Sequence, residues 1–217
     1  MTRARRLAVL ALAGLAGALP ACVSLKRTPE ARFFVLRTLA EPPAAELGAS
    51  PALVGLLPVA LPGYLERPQL ITWVAPGELR VDEYLRWAEP LDAGLSRTLA
   101  ANLEVLLPES RVIRSPWPAS ASTRLRCRVR VDLQRFGPQA TGEVVLEGRW
   151  ALLPADGERP IVARPVGLKR GPLGPAAPGG GADAVAGVEA MSELVADLAR
   201  DIAAAIRALP SGLDESG

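Results

Sequence analysis

The chain has 217 residues, of which 49% are hydrophobic, and this length suits a single folded domain with a sizeable core. Its 25 basic and 23 acidic residues are nearly balanced, which argues against a nucleic-acid partner because binding to phosphates depends on concentrated positive charge. The chain contains no histidine, and this excludes Ser/His/Asp and Cys/His nucleophile systems together with histidine-ligated metal sites.

Residues 1–21 predict a secretory signal peptide. Arg3, Arg5 and Arg6 precede an apolar run at 7–19, which as a helix would span about 20 Å at about 1.5 Å per residue. Because the hydrocarbon core of a bilayer is roughly 30 Å thick, this run is too short for an ordinary membrane span. We therefore expect the segment to be removed, which leaves the mature chain with one more acidic than basic residue.

The sequence Leu19-Pro20-Ala21-Cys22 that ends this segment resembles a bacterial lipobox. It predicts a diacylglyceryl group on the sulfur of Cys22 and cleavage before that residue; the alternative is an ordinary signal peptide followed by an incidental cysteine. Acyl chains contribute roughly 0.8 kcal/mol per buried CH₂, so two or three of them form a stable anchor. A covalent lipid on Cys22 is the only cofactor that we expect.

Residues 22–31 predict a short lipidated tether. Val23 stands where an aspartate would retain a lipoprotein at the inner membrane, so resemblance to bacterial lipoprotein sorting favours the periplasmic face of the outer membrane. The other cysteine, Cys127, would then lack an intramolecular partner, and we expect no disulfide framework.

The first half of the domain predicts strands followed by a helix. Residues 32–39 indicate a first strand that is buried on both faces, because its apolar residues are consecutive. Further strands are predicted at 53–60, 69–74 and 78–84, separated by turns that contain proline and glycine. An amphipathic helix begins at Pro90 and ends before Pro108, and Val112 and Ile113 then indicate a short buried strand.

After a linker at 119–123, residues 125–133 and 143–153 predict a long antiparallel hairpin. Its first strand alternates strictly between apolar and charged residues, which places Cys127 inside as an inert thiol. Its arginines face outward; these are Arg124, Arg126, Arg128 and Arg130. We expect them to be solvated and paired with cross-strand acids such as Glu143 and Glu147, and the alternative is a grip on lipid phosphates or an acidic partner.

The C-terminal part predicts an edge strand at 161–169, an irregular loop at 171–181 and a long helix capped by Asp183. An apolar stripe marks the core side of that helix, and residues 210–217 predict a disordered tail. The fold class that follows is α/β: a mixed sheet with a long antiparallel hairpin and two main helices packed on it.

Three segments resemble the ABC-type transport auxiliary lipoprotein family of PqiC type. They are GLLPVALPGYLERPQLITW, LRWAEPLDAGLSRTLAANLEVLLP and the pair Pro116-Trp117, in one order over about sixty positions, with Trp73 as a departure. The resemblance implies a single auxiliary domain over residues 32–209 that is not an enzyme. It also implies a periplasm-spanning MCE-domain protein and inner-membrane transporter subunits as partners, a role in envelope integrity, and a homo-oligomer.

Two other functions stay open. One is a lipoprotein that assists assembly of another component or forms part of a pore complex. The other is a carboxylate-dependent periplasmic hydrolase, whose candidate acids would be Asp82, Glu83, Glu89 and Asp92. Because arginines are interspersed with these acids, surface ion pairs are the preferred interpretation.

The loop at 61–68, with the sequence LPGYLERP, is the candidate contact surface for a partner. Two prolines limit its flexibility, and its contact residues would be Tyr64, Leu65 and Arg67. The alternative is that Tyr64 and Leu65 fold back onto the core.

Overall fold

The computed structural model describes residues 29–39, 51–171 and 181–210, with the side chains of 181–183 excepted. The described strands are β1 (Arg32–Phe34), β2 (Ala52–Leu56), β3 (Gln69–Ala75), β4 (Glu78–Trp87), β5 (Ser110–Arg114), β6 (Leu125–Pro138), β7 (Val144–Leu153) and β8 (Val162–Arg170). The described α-helices are α1 (Leu91–Leu106), α2 (Ala119–Ser122) and α3 (Gly181–Arg207). A 3₁₀ turn, Gly63–Leu65, follows β2.

The strands form two mixed sheets. The larger has the order β5-β2-β6-β7-β8, with β2 parallel to both β5 and β6, and with β6, β7 and β8 antiparallel in sequence. The smaller has the order β1-β4-β3, with β1 parallel and β3 antiparallel to β4. The predicted α/β class with a mixed sheet is confirmed, although the strands are divided between two sheets.

The long hairpin forms because β6 alternates at the two-residue period of a strand. The five alternating apolar side chains of its first half are at most 3% exposed, and these are Leu125, Cys127, Val129, Val131 and Leu133. On β7 the alternation fails, since Val144 and Val145 are both fully covered, as are Leu152 and Leu153. Strand β7 therefore lies inside the sheet and is covered on both faces near each end.

Helices α1 and α3 pack against each other, α1 against β5, and α3 against β6, β7 and β8. The apolar stripe of α1 is buried as predicted, with Leu95, Leu99 and Leu103 at most 2% exposed. The indole Nε1–H of the buried Trp150 on β7 donates a 2.9 Å hydrogen bond to a carboxylate oxygen of Asp201 on α3. This bond satisfies the one polar atom of a core tryptophan and fixes α3 on the hairpin.

The prediction that the first strand is buried on both faces is wrong. Phe33 and Val35 are 64% and 48% exposed, whereas Leu36 is 2% exposed and Phe34 packs against the core. The reason is that β1 lies in the smaller sheet, where Phe34 and its neighbours on β4, Leu85 and Trp87, pack with the core on one face while the opposite face stays open to solvent.

The predicted partners of the hairpin arginines are also wrong. Arg128 and Arg130 pair with Glu158 in the β7–β8 connection, while Arg126 donates to the carbonyl oxygen of Leu209 over 3.0 Å. The register explains the difference, because Arg128 lies opposite Leu153 at the far end of the hairpin from Glu147. Glu147 pairs instead with Arg135.

Two further boundaries differ from the sequence prediction. The predicted linker at 119–123 forms the one-turn helix α2, and α3 begins at Gly181, two residues before the predicted cap Asp183. The lipobox with Cys22, most of the predicted loop at 171–181, and the predicted tail beyond 210 lie outside the described residues. The predicted domain boundaries stay a prediction.

Candidate functional site

The loop at 61–68 joins the two sheets and is fixed at both of its ends. Ala60, just before it, donates to the carbonyl of Val131 and accepts from the amide of Leu133, each over 3.0 Å, which ties it to β6. At the other end the amide of Trp87 on β4 donates to the carbonyl of Pro68 over 2.7 Å. The loop is therefore held between β6 of the larger sheet and β4 of the smaller one.

Inside the loop, the 3₁₀ turn directs the side chains of Tyr64 and Leu65 toward the protein. Leu65 is 3% exposed and belongs to the main core. Tyr64 is half-buried; its hydroxyl donates to the carbonyl of Gln134, and its ring meets Trp73 edge to face at 5.4 Å between centroids. Burial raises the pKa of the Tyr64 phenol above 10.0, although the nearby Arg135 guanidinium acts in the opposite direction.

Arg67 is the candidate contact residue that the loop exposes to solvent. It stands at the edge of a cleft of about 420 Å³ between the loop, the end of β4 and the start of α1. The cleft is lined by Glu66, Arg67, Pro68, Trp87, Ala88, Glu89, Pro90, Leu91 and Asp92. Its walls thus combine an apolar floor with acidic groups and one arginine, and the partner role of the loop stays a prediction.

A cluster of aromatic and charged side chains lies beside the loop. The guanidinium of Arg135 stacks over the Trp73 ring at 4.7 Å from its centroid and pairs with Glu147 at 3.1 Å. Trp73 also forms a parallel β-bridge with Gln139, so the cluster links β3 to the hairpin end. The sequence singled out Trp73 as unusual but gave no signal that it would stack on an arginine 62 positions away.

The residues at 35–39, called the N-terminal segment below, lie in a polar clasp between α1 and α3. The carbonyl of Leu36 accepts hydrogen bonds from Arg97 and Thr98 of α1, over 3.2 and 3.5 Å. The amide of Arg37 donates to the Ser192 hydroxyl of α3 over 3.1 Å, and the amide of Leu39 donates to Asn102 Oδ1 of α1 over 2.7 Å.

The clasp explains why polar residues are buried between the helices. Thr98 and Asn102 are fully buried and Ser192 is 7% exposed, and each of them bonds the backbone of the N-terminal segment. An extended segment has backbone groups that need partners when they are buried, and here the helices supply them. Sequence reasoning missed this function for the three residues.

Three of the four acidic side chains considered for hydrolysis, Asp82, Glu83 and Glu89, have structural partners. The Asp82 carboxylate accepts from the amides of Tyr84 and Leu85 over 3.0 and 3.1 Å, and Glu89 pairs with Arg97 at 2.6 Å. In the described ranges, no group of three or more cysteine and acidic side chains is arranged to hold a metal ion. Of the helices within those ranges, none combines the length and the apolar content that crossing a bilayer requires.

A family model described as "ABC-type transport auxiliary lipoprotein component" matches residues 34–203. No curated protein shows a significant sequence match to the chain. Among solved structures, an uncharacterized protein is 22% identical with a TM-score of 0.62, over 82% of this chain and 99% of the other. A DUF330 protein from Xanthomonas campestris is 18% identical with a TM-score of 0.56, over 77% of this chain and 92% of the other.

A third solved structure, a PelC dodecamer from Paraburkholderia phytofirmans, is 13% identical with a TM-score of 0.39, over 72% of this chain and 92% of the other. This likeness is too weak to inform the assembly of the chain. The two stronger likenesses show a shared fold, and at these identities they show the fold alone.

Proposed function

The chain belongs to the ABC-type transport auxiliary lipoprotein component family, and from this we propose that it is a non-enzymatic subunit of a lipid transport system in the bacterial envelope. Its family assigns it an auxiliary role in transport and thereby an association with a transporter. The finer proposal is that the transporter is of the ABC/MCE type and that its activity supports envelope integrity.

The observation that carries this proposal is the order of two features along the chain. The sequence ending at Cys22, which resembles a lipobox, comes first, and the family match begins at Phe34, only twelve residues later. A lipid on Cys22 would therefore keep the whole auxiliary domain next to a membrane surface. Because Val23 rather than aspartate follows the cysteine, we propose the periplasmic face of the outer membrane as that surface.

The proposed partners are a periplasm-spanning MCE-domain protein and the inner-membrane subunits of the transporter. Arg67 and the cleft beside it are the proposed contact surface for the MCE-type partner, since Arg67 is exposed on a loop that is fixed at both ends. A rigid loop loses little conformational entropy when it binds, which favours such a role. Assembly into a homo-oligomer is part of the same proposal.

The alternative of a hydrolase receives no support from the acids that suggested it. Asp82 accepts hydrogen bonds from two backbone amides within β4, and Glu83 and Glu89 pair with arginines. Acids that are engaged in this way are satisfied by structural partners rather than poised for proton transfer.

Acylation and location are tested in a bacterium with two membranes that produces the full chain with a C-terminal tag. Cells are fed an alkyne fatty acid, and the membranes are separated by density. We expect label on the wild-type protein in the outer-membrane fraction and on Cys127→Ser, which keeps the lipidation site. Cys22→Ser should lose the label and leave the membrane fraction. Label that persists on Cys22→Ser would contradict the anchor, and label in the inner membrane would contradict the location.

A further inference from the structure

The outward side of the three-stranded sheet carries an apolar surface. Among the described residues five large hydrophobic side chains are exposed, and three of them, Phe33 at 64%, Val35 at 48% and Tyr84 at 38%, lie on β1, directly after it, or on β4. Scattered exposed hydrophobic residues are common in proteins, whereas a group of them on one face indicates a contact surface.

Strand geometry places these side chains together. Phe34 and Leu36 point to the core. Because side chains alternate along an extended chain, Phe33 and Val35 point outward. On β4, Leu85 and Trp87 pack against or within the core, which turns the intervening Arg86 outward, together with Tyr84 two residues before it.

The register joins the two strands into one patch. Phe33 is the direct partner of Arg86 in the parallel pair of β1 and β4, so their side chains emerge side by side. We call the group Phe33, Val35, Tyr84 and Arg86 the outer patch. Its composition of aromatic rings beside an arginine is typical of surfaces at a membrane–water interface, where rings enter the headgroup layer and arginine reaches phosphates.

The position of the outer patch along the chain indicates which surface covers it. Phe33 follows Cys22 by eleven residues, so it lies no farther than about 40 Å from a lipid-bearing sulfur, even if the tether is fully extended. A weak apolar surface held this close meets the bilayer at a high effective concentration.

The clasp fixes the N-terminal segment on the domain. The N-terminal segment begins with Val35 of the outer patch, and its backbone is bonded to Asn102 on α1 and Ser192 on α3. The orientation of Val35 relative to the two helices is therefore fixed by the backbone bonds that follow it.

On the basis of the proposed acylation of Cys22, we propose that the outer patch contacts the phospholipid bilayer that holds the anchor. The domain then lies with the β1–β4 side of its smaller sheet against the lipid headgroups. Arg86 is positioned to approach phosphates, and its own acidic neighbour is Glu83 at 3.9 Å.

The test uses the acylated full chain in vesicles of phosphatidylethanolamine and phosphatidylglycerol. An environment-sensitive fluorophore is attached to Val35→Cys and, as the matched control, to Ile161→Cys, which replaces another exposed aliphatic residue at 39% exposure beside β8. Native Cys127 is fully buried and does not compete for the reagent under folding conditions. A headgroup-level spin-labelled lipid serves as the quencher.

We expect emission from position 35 to shift to the blue and to be quenched several-fold more than emission from position 161. Adding Phe33→Ser and Tyr84→Ser should remove most of this difference, whereas Ile161→Ser in the Val35→Cys protein should leave it intact. Equal quenching at the two positions in vesicles that carry the floated protein would overturn the proposal while leaving the anchor in place.

Two other outcomes also overturn the proposal and can be told apart. If the protein does not float with the vesicles, the acyl anchor is absent, and the proposed function fails together with the patch contact. If the emission of position 35 changes with protein density rather than with the amount of quencher lipid, a second copy of the chain covers the outer patch.

Discussion

The amide of Leu39 donates a 2.7 Å hydrogen bond to the Oδ1 atom of Asn102, a residue 63 positions later in the chain. Asn102 is fully buried on α1, and its Nδ2 atom has no protein partner within the described part of the chain. The bond from Leu39 therefore satisfies the oxygen of this buried side chain, while its nitrogen has no such bond in the described residues. Through this bond Asn102 holds the N-terminal segment, which follows the predicted lipid tether, against the body of the domain.

Replacing Asn102 with alanine is expected to release the N-terminal segment and to lower the free energy of unfolding by about 1–3 kcal/mol, because a part-buried amide loses its acceptor. Hydrogen exchange of the Leu39 amide measures the local effect, and urea unfolding measures the global one. Ser96→Ala on the same helix is the control, since Ser96 bonds Val59 and not this segment. Unchanged protection of Leu39 in Asn102→Ala would refute the clasp.

Burial raises the pKa of the Cys127 thiol from 9.0 to about 11. Because this pKa is higher in the folded than in the unfolded state, the thiol's contribution to stability is complete below pH 9.0 and is lost as the pH rises through about 11. A shift of this size corresponds to about 3 kcal/mol.

Cys127→Ala should therefore flatten the decline of unfolding free energy between pH 9.0 and about 11 relative to the wild type. It should also cost some stability at neutral pH, because Cys127 is fully buried. Urea unfolding at a series of pH values measures both effects. In the same samples, native Cys127 should react slowly with a thiol reagent and unfolded Cys127 quickly; parallel pH profiles and equal reaction rates would mean that the thiol is accessible.

At Gly148 of the hairpin the neighbouring backbone leaves no room for a side chain. A Cβ atom on Gly148 would lie 2.3 Å from the carbonyl oxygen of Asp132 and 2.8 Å from the Cα of Leu133, both backbone atoms that cannot easily move. Gly148→Ala is expected to destabilise the protein by about 1–3 kcal/mol or more, as overpacking does. Thermal unfolding measures the loss.

Gly167 on the neighbouring β8 supplies the matched control. A Cβ atom added there meets nothing within 4 Å, so Gly167→Ala should leave the stability within about 0.5 kcal/mol of the wild type. Similar melting temperatures for the two variants would show that the register of Gly148 opposite Leu133 is wrong.

The partner role of the loop is best tested at Arg67 alone. Tyr64 bonds the backbone of Gln134 and contacts Trp73, so replacing it would disturb the fold as well as the surface. Arg67→Glu should weaken capture of the MCE-type partner several-fold without changing the melting temperature, since it reverses an exposed charge. Arg111→Glu, an exposed arginine on β5, is the control. Equal capture by both variants would remove the loop from the interface.

Local periodicity predicted much of the fold because it reflects covalent geometry. The alternation that buried Cys127 and the stripe through Leu95, Leu99 and Leu103 both follow from the fixed period of a strand or helix. The run at 33–36 failed as a predictor because consecutive apolar residues occur both in strands covered on two faces and in strands that leave one face open. Phe33 was therefore placed inside when it lies outside.

Contacts between residues far apart in the chain could not be predicted from the sequence. The ion pair of Arg130 with Glu158 depends on the register of β6 and β7, which shifts at a bulge between Leu133 and Arg135. The bond between Leu39 and Asn102 likewise joins two segments that have no common local pattern. In the candidate site, the sequence identified the loop at 61–68 but could not decide that Leu65 enters the core while Arg67 stays at the surface.

The most direct test of the proposed function is co-purification of the tagged wild-type chain from the membranes of its native host, followed by identification of the bound proteins. We expect the purified chain to carry acyl groups on Cys22 and to bring with it an MCE-domain protein and the permease or ATPase of an ABC-type transporter. Cys22→Ser should recover far less of each. An acylated chain that purifies from intact membranes without any transporter component would contradict the proposal.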